Sequence, residues 1–567
     1  MTRPTLCAIP LAFITLYSAS AGADDPVPLP YPFSWSTVVN NNDYMPTDAC
    51  DPQLPTAACR HFNSYNQPSV NAQRLVVIRA RSRGGHGGGQ PVHGVYTRDM
   101  ATAGPVVQIL DRATQVPQPN NLATVFHEPP SFPRIDSDSA TLATRGNHPP
   151  VWRYFLGDGS ETRAGTTGIY TNPFGPLVNG VCKLGGVADF SFFQVPEAPG
   201  TFFDVFPGAP AVTDGATLVF KGNYTVGQVG KTGVYYRDLV DEPLPIPGDE
   251  LAPAAGTHPV ILIANNTDSL IPGTSTRFGS TAPPSAAGRL AVFSGFDNEE
   301  HPTLGGIYLA PLNGTTKPPL TTLVSIGGQV PGEKRGVGFT RLGEGLSFDG
   351  RFVAFWGAWG TASKTLRLQC PSEGNAERIA FCQMYFNNFE VQVPLHQGIF
   401  VHDIRKKQTL VVAKTPSDFD DFLFWNFSGH VPGSSEGDDG EPARWRASAF
   451  AAVSGRVDGQ LNDANFHTAF KARSGEVAEG LYVAPLDGIY LRKGPGSARL
   501  VPLIEAGMDG TLIDPQAMSD GTPLPVTEMG LERDGFRGNA LAINATMGSE
   551  ETGMSGVYIS EVPDITE

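Results

Sequence analysis

Four side chains in one short stretch could hold an anion. In Arg79-Ala-Arg-Ser-Arg-Gly-Gly-His-Gly-Gly-Gly-Gln-Pro-Val-His93, Arg81, Arg83, His86 and His93 alternate with residues too small to screen them. A guanidinium presents a planar fork of N–H donors that matches a carboxylate or sulfate, and glycine backbone lets a ligand approach closely. This chemistry suits a uronate or a sulfated sugar. A Gly-rich surface loop explains the same residues without a ligand. A phosphate cradle is excluded, because no helix follows the glycines and no Lys-Ser/Thr pair closes them.

A second set is acidic. Asp418, Asp420 and Asp421 precede a further cluster, Glu436-Gly-Asp-Asp-Gly-Glu441, that contains Asp438 and Asp439. Hard carboxylate oxygens at this density suit Ca²⁺, although neither cluster has the ordered spacing of an EF-hand loop. A solvated acidic loop fits equally well, and no other cofactor is expected. His and Tyr residues (His61, Tyr65, His127, His148, Tyr154, Tyr385, His396, His402 and His430) are scattered along the chain. A Tyr/His base with Arg or His holding a sugar carboxylate would serve a polysaccharide lyase. No Gly-x-Ser-x-Gly elbow is present, so a serine hydrolase has no support.

The composition limits the partners. With 40 Lys and Arg against 56 Asp and Glu, the net charge of -16 argues against nucleic acid. Residues 1–23 read as a signal peptide, with Arg3, the apolar run Leu6–Tyr17 and small residues before Asp24. That run is short for a bilayer, and no later stretch would span one as a helix. Secretion or a periplasmic location is therefore expected. In an oxidising compartment Cys50 pairs with Cys59 and Cys370 with Cys382, leaving Cys182 as a thiol.

A repeat must position all of these residues. Gly94-Val-Tyr96, Gly168-Ile-Tyr170, Gly233-Val-Tyr235, Gly306-Ile-Tyr308, Gly398-Ile-Phe400, Gly488-Ile-Tyr490 and Gly556-Val-Tyr558 make seven triplets. Before each lies an apolar run ending in a small residue, such as Leu75–Ala80, Phe352–Gly357 and Ala449–Gly455. Asx/Gly turns precede the runs, and Leu-Val pairs such as Val106-Val107 and Leu500-Val501 follow most triplets. Each unit reads as four antiparallel strands, a to d. One unit cannot bury its faces, whereas units packed radially can. The fold class is all-β, a seven-bladed β-propeller over residues 36–560, with an extension at 24–35 and a tail at 561–567. The last unit lacks strand d, and Ser36-Thr-Val-Val-Asn40 supplies it, so the N-terminal strand should close the ring.

The phrase Ser347-Phe-Asp-Gly-Arg-Phe-Val-Ala-Phe355, with its later Gly-Ile-Phe, resembles the TolB-like, WD40-type propeller repeat. The unit also resembles repeats in exported bacterial propeller proteins of unknown function. The resemblance implies the fold and transfers no catalytic residue. The triplet aromatics recur once per unit and are expected to pack between blades. The long segments 39–61, 81–93, 358–397 and 456–487 fall mostly on b–c and d–a connections, hence on one face. Loops on a rigid scaffold are where binding concentrates. The expectation is a binding module for a protein or carbohydrate partner, with a lyase acting on an acidic polysaccharide as the alternative.

Overall fold

The computed structural model describes residues 33–47, 50–56, 59–83, 91–241, 258–371, 376–429, 431–432, 442–457, 460–461, 466–474, 486–494, 500–549 and 552–562. The leader-like residues 1–23, His86, Asp438, Asp439, His430 and Gly480-Leu-Tyr482 lie outside these residues.

All seven triplets lie on the third strand of an antiparallel blade. Blade 1 comprises Phe62–Tyr65 with Ser69–Val70 (strand a), Leu75–Ser82 (b), His93–Asp99 (c) and Val106–Asp111 (d). Blade 2 follows with Arg134–Ile135, Leu142–Asn147, Thr167–Thr171 and Val178–Cys182. Blade 3 has Ala211–Thr213, Thr217–Val226, Val229–Asp238 and Ile261–Asn265. In blade 4, Ser280–Thr281 with Ser285–Ala287 precedes Leu290–Phe296, Gly305–Pro311 and Thr321–Ser325. Blade 5 has Phe339–Leu342 with Ser347–Phe348, then Phe352–Leu368, Phe389–Asp403 and Gln408–Lys414. Blade 6 is built from Ala451–Ser454, Phe466–Ser474, Leu486–Gly494 and Leu500–Glu505. Blade 7 joins both ends of the chain. Val526–Gly530 with Phe536–Arg537, Ala540–Met547 and Met554–Glu561 are completed by Trp35–Asn40, which pairs antiparallel with strand c from Trp35↔Ser560 to Asn40↔Gly556.

The triplet has a steric cause. The tyrosine ring folds back over the glycine two residues earlier, so a Cβ on Gly94 would stand 2.6 Å from Tyr96 Oη. A second aromatic, absent from the repeat as read from sequence, packs edge-on against that ring. Phe62–Tyr96, Phe126–Tyr170, Phe203–Tyr235, Phe278–Tyr308 and Phe339–Phe400 have centroids 5.1, 4.8, 4.9, 5.4 and 5.0 Å apart, respectively. Such pairs add about 1 kcal/mol to the burial of the rings. They also explain the small residue ending strand b: a Cβ on Gly146 would lie 2.5 Å from the Phe126 ring.

Blade 6 corrects the sequence reading. Ala449–Gly455 was expected as strand b, but Ala451–Ser454 is the innermost strand and Phe466–Ser474 is strand b. Phe466–Ser474 mixes His, Thr, Lys and Arg among its apolar residues, so its burial is not apparent from composition. Residues 455–465 therefore connect a to b, and residues 239–260 connect c to d in blade 3. The strand ends they join, Ser454 to Phe466 and Asp238 to Ile261, lie at the end opposite the b–c loops, so insertion is not confined to one face. A helix, Ala376–Tyr385, also stands within the blade 5 insertion, where no helical period was read.

The axis is filled. Glu532–Arg537, which runs from the break in strand a of blade 7 through its second piece, touches the inner edge of all six other blades. Asp534 O accepts from Val70 N of blade 1 at 2.9 Å. Arg134 of blade 2 pairs with Asp534 at 2.6 Å and Glu532 at 2.8 Å. Arg533 donates to Ala209 O beside blade 3 (3.4 Å) and to Pro284 O of blade 4 (2.9 Å). Ser347 of blade 5 donates to Arg533 O at 2.6 Å. Arg537 donates to Val453 O of blade 6 at 3.4 Å, and it also contacts Asp534. Burial opposes ionisation of Asp534, but Arg134, Arg537 and Arg533 outweigh it and hold the carboxyl below its usual range.

Candidate functional site

The b–c and d–a connections share one face of the ring. It carries the hairpin Trp152–Phe155/Glu161–Ala164 of blade 2, the long arm formed by strands b and c of blade 5, and the hairpin Phe424–Ser428/Arg444–Ser448 between blades 5 and 6. Both disulfides are formed on it, Cys50–Cys59 and Cys370–Cys382, while Cys182 is a buried thiol. The two bonds fit an oxidising compartment. Among the described residues, exposed large apolar side chains collect on this face, including Leu54, Phe155, Leu156, Val226, Val229, Met384 and Tyr385. Val107, on an outer strand, is the exception.

The arginine cluster lies at this face of blade 1, beside blade 2. Arg79 and Arg81 occupy alternate positions of strand b and so share one side of the sheet, and Arg83 follows directly after the strand ends at Ser82. Arg81 is in register with His93 on strand c, which places His93 on the same side. Neighbours orient each guanidinium. Arg81 Nε donates to Ser64 Oγ at 2.6 Å, and Arg83 Nε donates to Asn63 Oδ1 at 2.9 Å. Arg79 is tied down by Glu128 at 3.0 Å and by Pro129 O, while Arg112 donates to Pro91 O at 3.3 Å. Burial pushes His93 down to about 4; Glu128 opposes the shift, and Arg79, Arg81 and Arg112 reinforce it. His93 is therefore a neutral hydrogen-bonding group at pH 7, set in a positive environment.

Of the four residues singled out from the sequence, Arg81 and His93 are paired across strands b and c, Arg83 stands two residues beyond Arg81 with its Nε on Asn63, and His86 lies outside the described residues. Arg79 was legible as the first member of a period-two arginine series. Arg112 and Glu128 come from other strands and connections, and nothing local pointed to them.

The acidic residues are employed differently. Asp421 is fully buried; its Oδ1 accepts from Gln397 Nε2 at 2.8 Å and Leu423 N at 2.9 Å, and its Oδ2 pairs with Lys364 at 3.0 Å. It thereby fastens the connection after blade 5 to the blade 5 arm. Asp418 accepts from Lys414 N at 2.9 Å, and Asp420 N donates to Arg473 O at 2.9 Å. Among the described residues, no three His, Cys, Asp or Glu side chains are grouped to hold a metal ion.

One Tyr–His pair is in hydrogen-bond contact. His148 Nδ1–H donates to Pro149 O at 2.9 Å, so Nε2 accepts from Tyr170 Oη at 2.5 Å. His148 is 5% exposed and Tyr170 0%, which places the pair in the blade core. On the disulfide loop the Tyr44 and His61 rings meet at a tilt of 31° with centroids 4.1 Å apart, and His396 stacks on Trp359 at 6.0 Å.

Burial lowers the His148 pKa from 6.5 to about 4. A base depressed in the folded state stabilises fully above the unfolded value, and the contribution is lost as pH falls from 6.5 towards 4. The loss is about 3 kcal/mol over that window. Denaturation profiles between these pH values should show it, and His148→Gln should flatten the acid branch.

No protein-family model matches the chain, and no curated protein matches it. The TolB-like affiliation thus gains no support from sequence comparison. Similar solved structures include the tricorn protease, at 10% identity and a TM-score of 0.17, covering 86% of this chain and 51% of that one. An ancestral GH74 enzyme matches at 8% identity and a TM-score of 0.24, covering 94% of this chain and 77% of that one. The chain spans about half the length of the tricorn protease, and likeness at this level carries no argument about function.

Proposed function

We propose that this chain is an exported binding module that holds an acidic carbohydrate on its loop-rich face, at the arginine cluster of blade 1. The observation that carries the reading is the convergence of Arg81, Arg83 and His93, with Arg79 and Arg112 adjoining, in a chain of net charge -16. A local positive site on an acidic protein repels most anions at long range and rewards those that fit the arginine forks. Export is supported by the leader-like residues 1–23 and by the two disulfides. Binding is favoured over lyase chemistry because the hydrogen-bonded Tyr–His pair is in the core, where no sugar proton reaches it.

Calorimetric titration with polygalacturonate, alginate and uncharged dextran tests the proposal. The acidic polymers should bind, with affinity falling as salt rises. Arg81→Ala/Arg83→Ala should weaken that binding by about tenfold or more while leaving the melting temperature unchanged. Equal affinity in the double variant, or binding to dextran alone, would refute it. Release of unsaturated uronate would restore the lyase reading.

A further inference from the structure

The blade 5 arm carries a second recess, remote in sequence from the arginines. Beyond Gly357 and Gly398, strands b and c continue as a two-stranded ribbon capped by the helix Ala376–Tyr385. Cys370–Cys382 ties the ribbon to the helix. Beneath the helix, Cys382, Phe427 and Ala443 form a small buried cluster with Phe381, Phe386 and Trp445, and Trp445 Nε1 donates to Phe386 O at 3.2 Å. The tip is therefore fixed from two sides, by the disulfide and by the neighbouring hairpin.

A cavity of about 500 Å³ opens there, lined by Gln369, Cys370, Gln383, Asn387 and Asn388. None of these described lining residues is charged. Asn387 Oδ1 accepts from Cys370 N at 3.4 Å and so helps to hold the wall. Among the described residues, the amides of Gln369, Gln383 and Asn388 have no hydrogen-bond partner within the chain. The same tip exposes Met384 (72%), Tyr385 (63%) and Phe389 (43%).

We propose that this amide-lined cavity binds a neutral glycan. A primary amide sets a donor beside an acceptor, and neighbouring sugar hydroxyls offer the complementary pair. Three exposed amides without internal partners can exchange their water hydrogen bonds for these without disturbing the fold. The described lining residues offer no positive charge to favour an anion, and exposed aromatic rings at the tip supply faces for sugar C–H groups. The volume falls in the range of small-ligand sites and accommodates a few sugar units. Fixing by the disulfide and the hairpin lowers the ordering cost of binding. A peptide could use the same amides, but its side chains would seek apolar pockets, and the cavity wall is polar.

Ligand-observed NMR on the full chain, with cello-, manno-, xylo-, laminari- and chito-oligosaccharides, tests this site. At least one should bind at low-millimolar affinity or better. Gln369→Ala/Gln383→Ala should weaken it about tenfold, whereas Arg81→Ala/Arg83→Ala should leave it unchanged. Both glutamines are exposed, so an unchanged melting temperature and an intact disulfide by mass verify the fold. Absence of binding by the whole panel, binding unaffected by the glutamine variants, or binding of unstructured peptides in place of glycans would each overturn the proposal. Failure of the arginine site towards acidic polymers would leave this result standing, because the two sites are tested with different ligands and different variants.

Discussion

Asp534→Ala is expected to destabilise the propeller by about 3–5 kcal/mol, the cost of leaving buried charge uncompensated. Asp534 is 5% exposed and faces Arg134, which is 3% exposed, with Arg537 and Arg533 adjoining. Without the carboxylate, three guanidiniums remain in the channel with only Glu532 beside them. Burial already pushes Arg533 down to about 9, so the site does not tolerate further positive imbalance. Arg134→Ala should be similarly costly, because it removes the guanidinium that bridges Asp534 and Glu532 and leaves the two buried carboxylates under-compensated. The pair Arg134→Met/Asp534→Leu should recover part of the loss, since apolar replacement of both partners removes the charges that need compensation. Because the Asp534 pKa is depressed, its contribution is present above the ordinary value of 3.8 and is lost as pH falls below it. Denaturant titrations of the three variants near neutral pH and below pH 4 provide the check.

Val39→Asp should open the ring. Val38 and Val39 are fully buried on the N-terminal strand, packed with Val76, Ile78, Ala542 and Val557. The strand is also latched by polar contacts: Asn40 Nδ2 and Tyr558 Oη donate to Asp514 Oδ2 at 2.8 and 3.1 Å. A lone carboxylate among these side chains should cost about 4 kcal/mol or more, in the range reserved for buried unpaired charge. Detachment of the strand also bares an edge at the third strand of blade 7, and bare edges self-associate. Lower stability should therefore be accompanied by concentration-dependent light scattering. Ser36→Asp, on the same strand but exposed, should change stability by no more than about 0.5 kcal/mol.

These two effects lie in parts of the molecule that were unequally legible in the sequence. The triplet was legible because the fold imposes it locally: the ring of residue i+2 covers residue i, and only glycine leaves room. Strand Trp35–Asn40 was legible by elimination, since Met554–Glu561 had no following partner. Glu532–Arg537 was not, because a run of Glu, Arg and Asp looks like a solvated turn until six blades converge on it. Phe126 and its counterparts were missed because they sit on irregular connections, as Phe126, Phe203 and Phe278 do, or open a short inner strand, as Phe62 and Phe339 do, where no period marks them. Strand Phe466–Ser474 was missed because Lys471 and Arg473 interrupt its apolar pattern; in the fold they lie over the Phe424 ring at 4.1 and 4.0 Å. At the candidate site, Arg81 and Arg83 were read as part of a Gly-rich loop because the apolar run ends at Ala80, whereas strand b runs on to Ser82 and Glu128 reaches Arg79 from the connection before blade 2.

Where a ligand sits on the ring can be measured directly by hydrogen–deuterium exchange with and without a uronate oligosaccharide. The expected result is slowed exchange in residues 75–83, 91–99 and 112–128, at the loop-rich end of blades 1 and 2. Protection confined to the a–b and c–d turns at the opposite end, or no protection under conditions where the acidic polymer binds, would contradict the assignment.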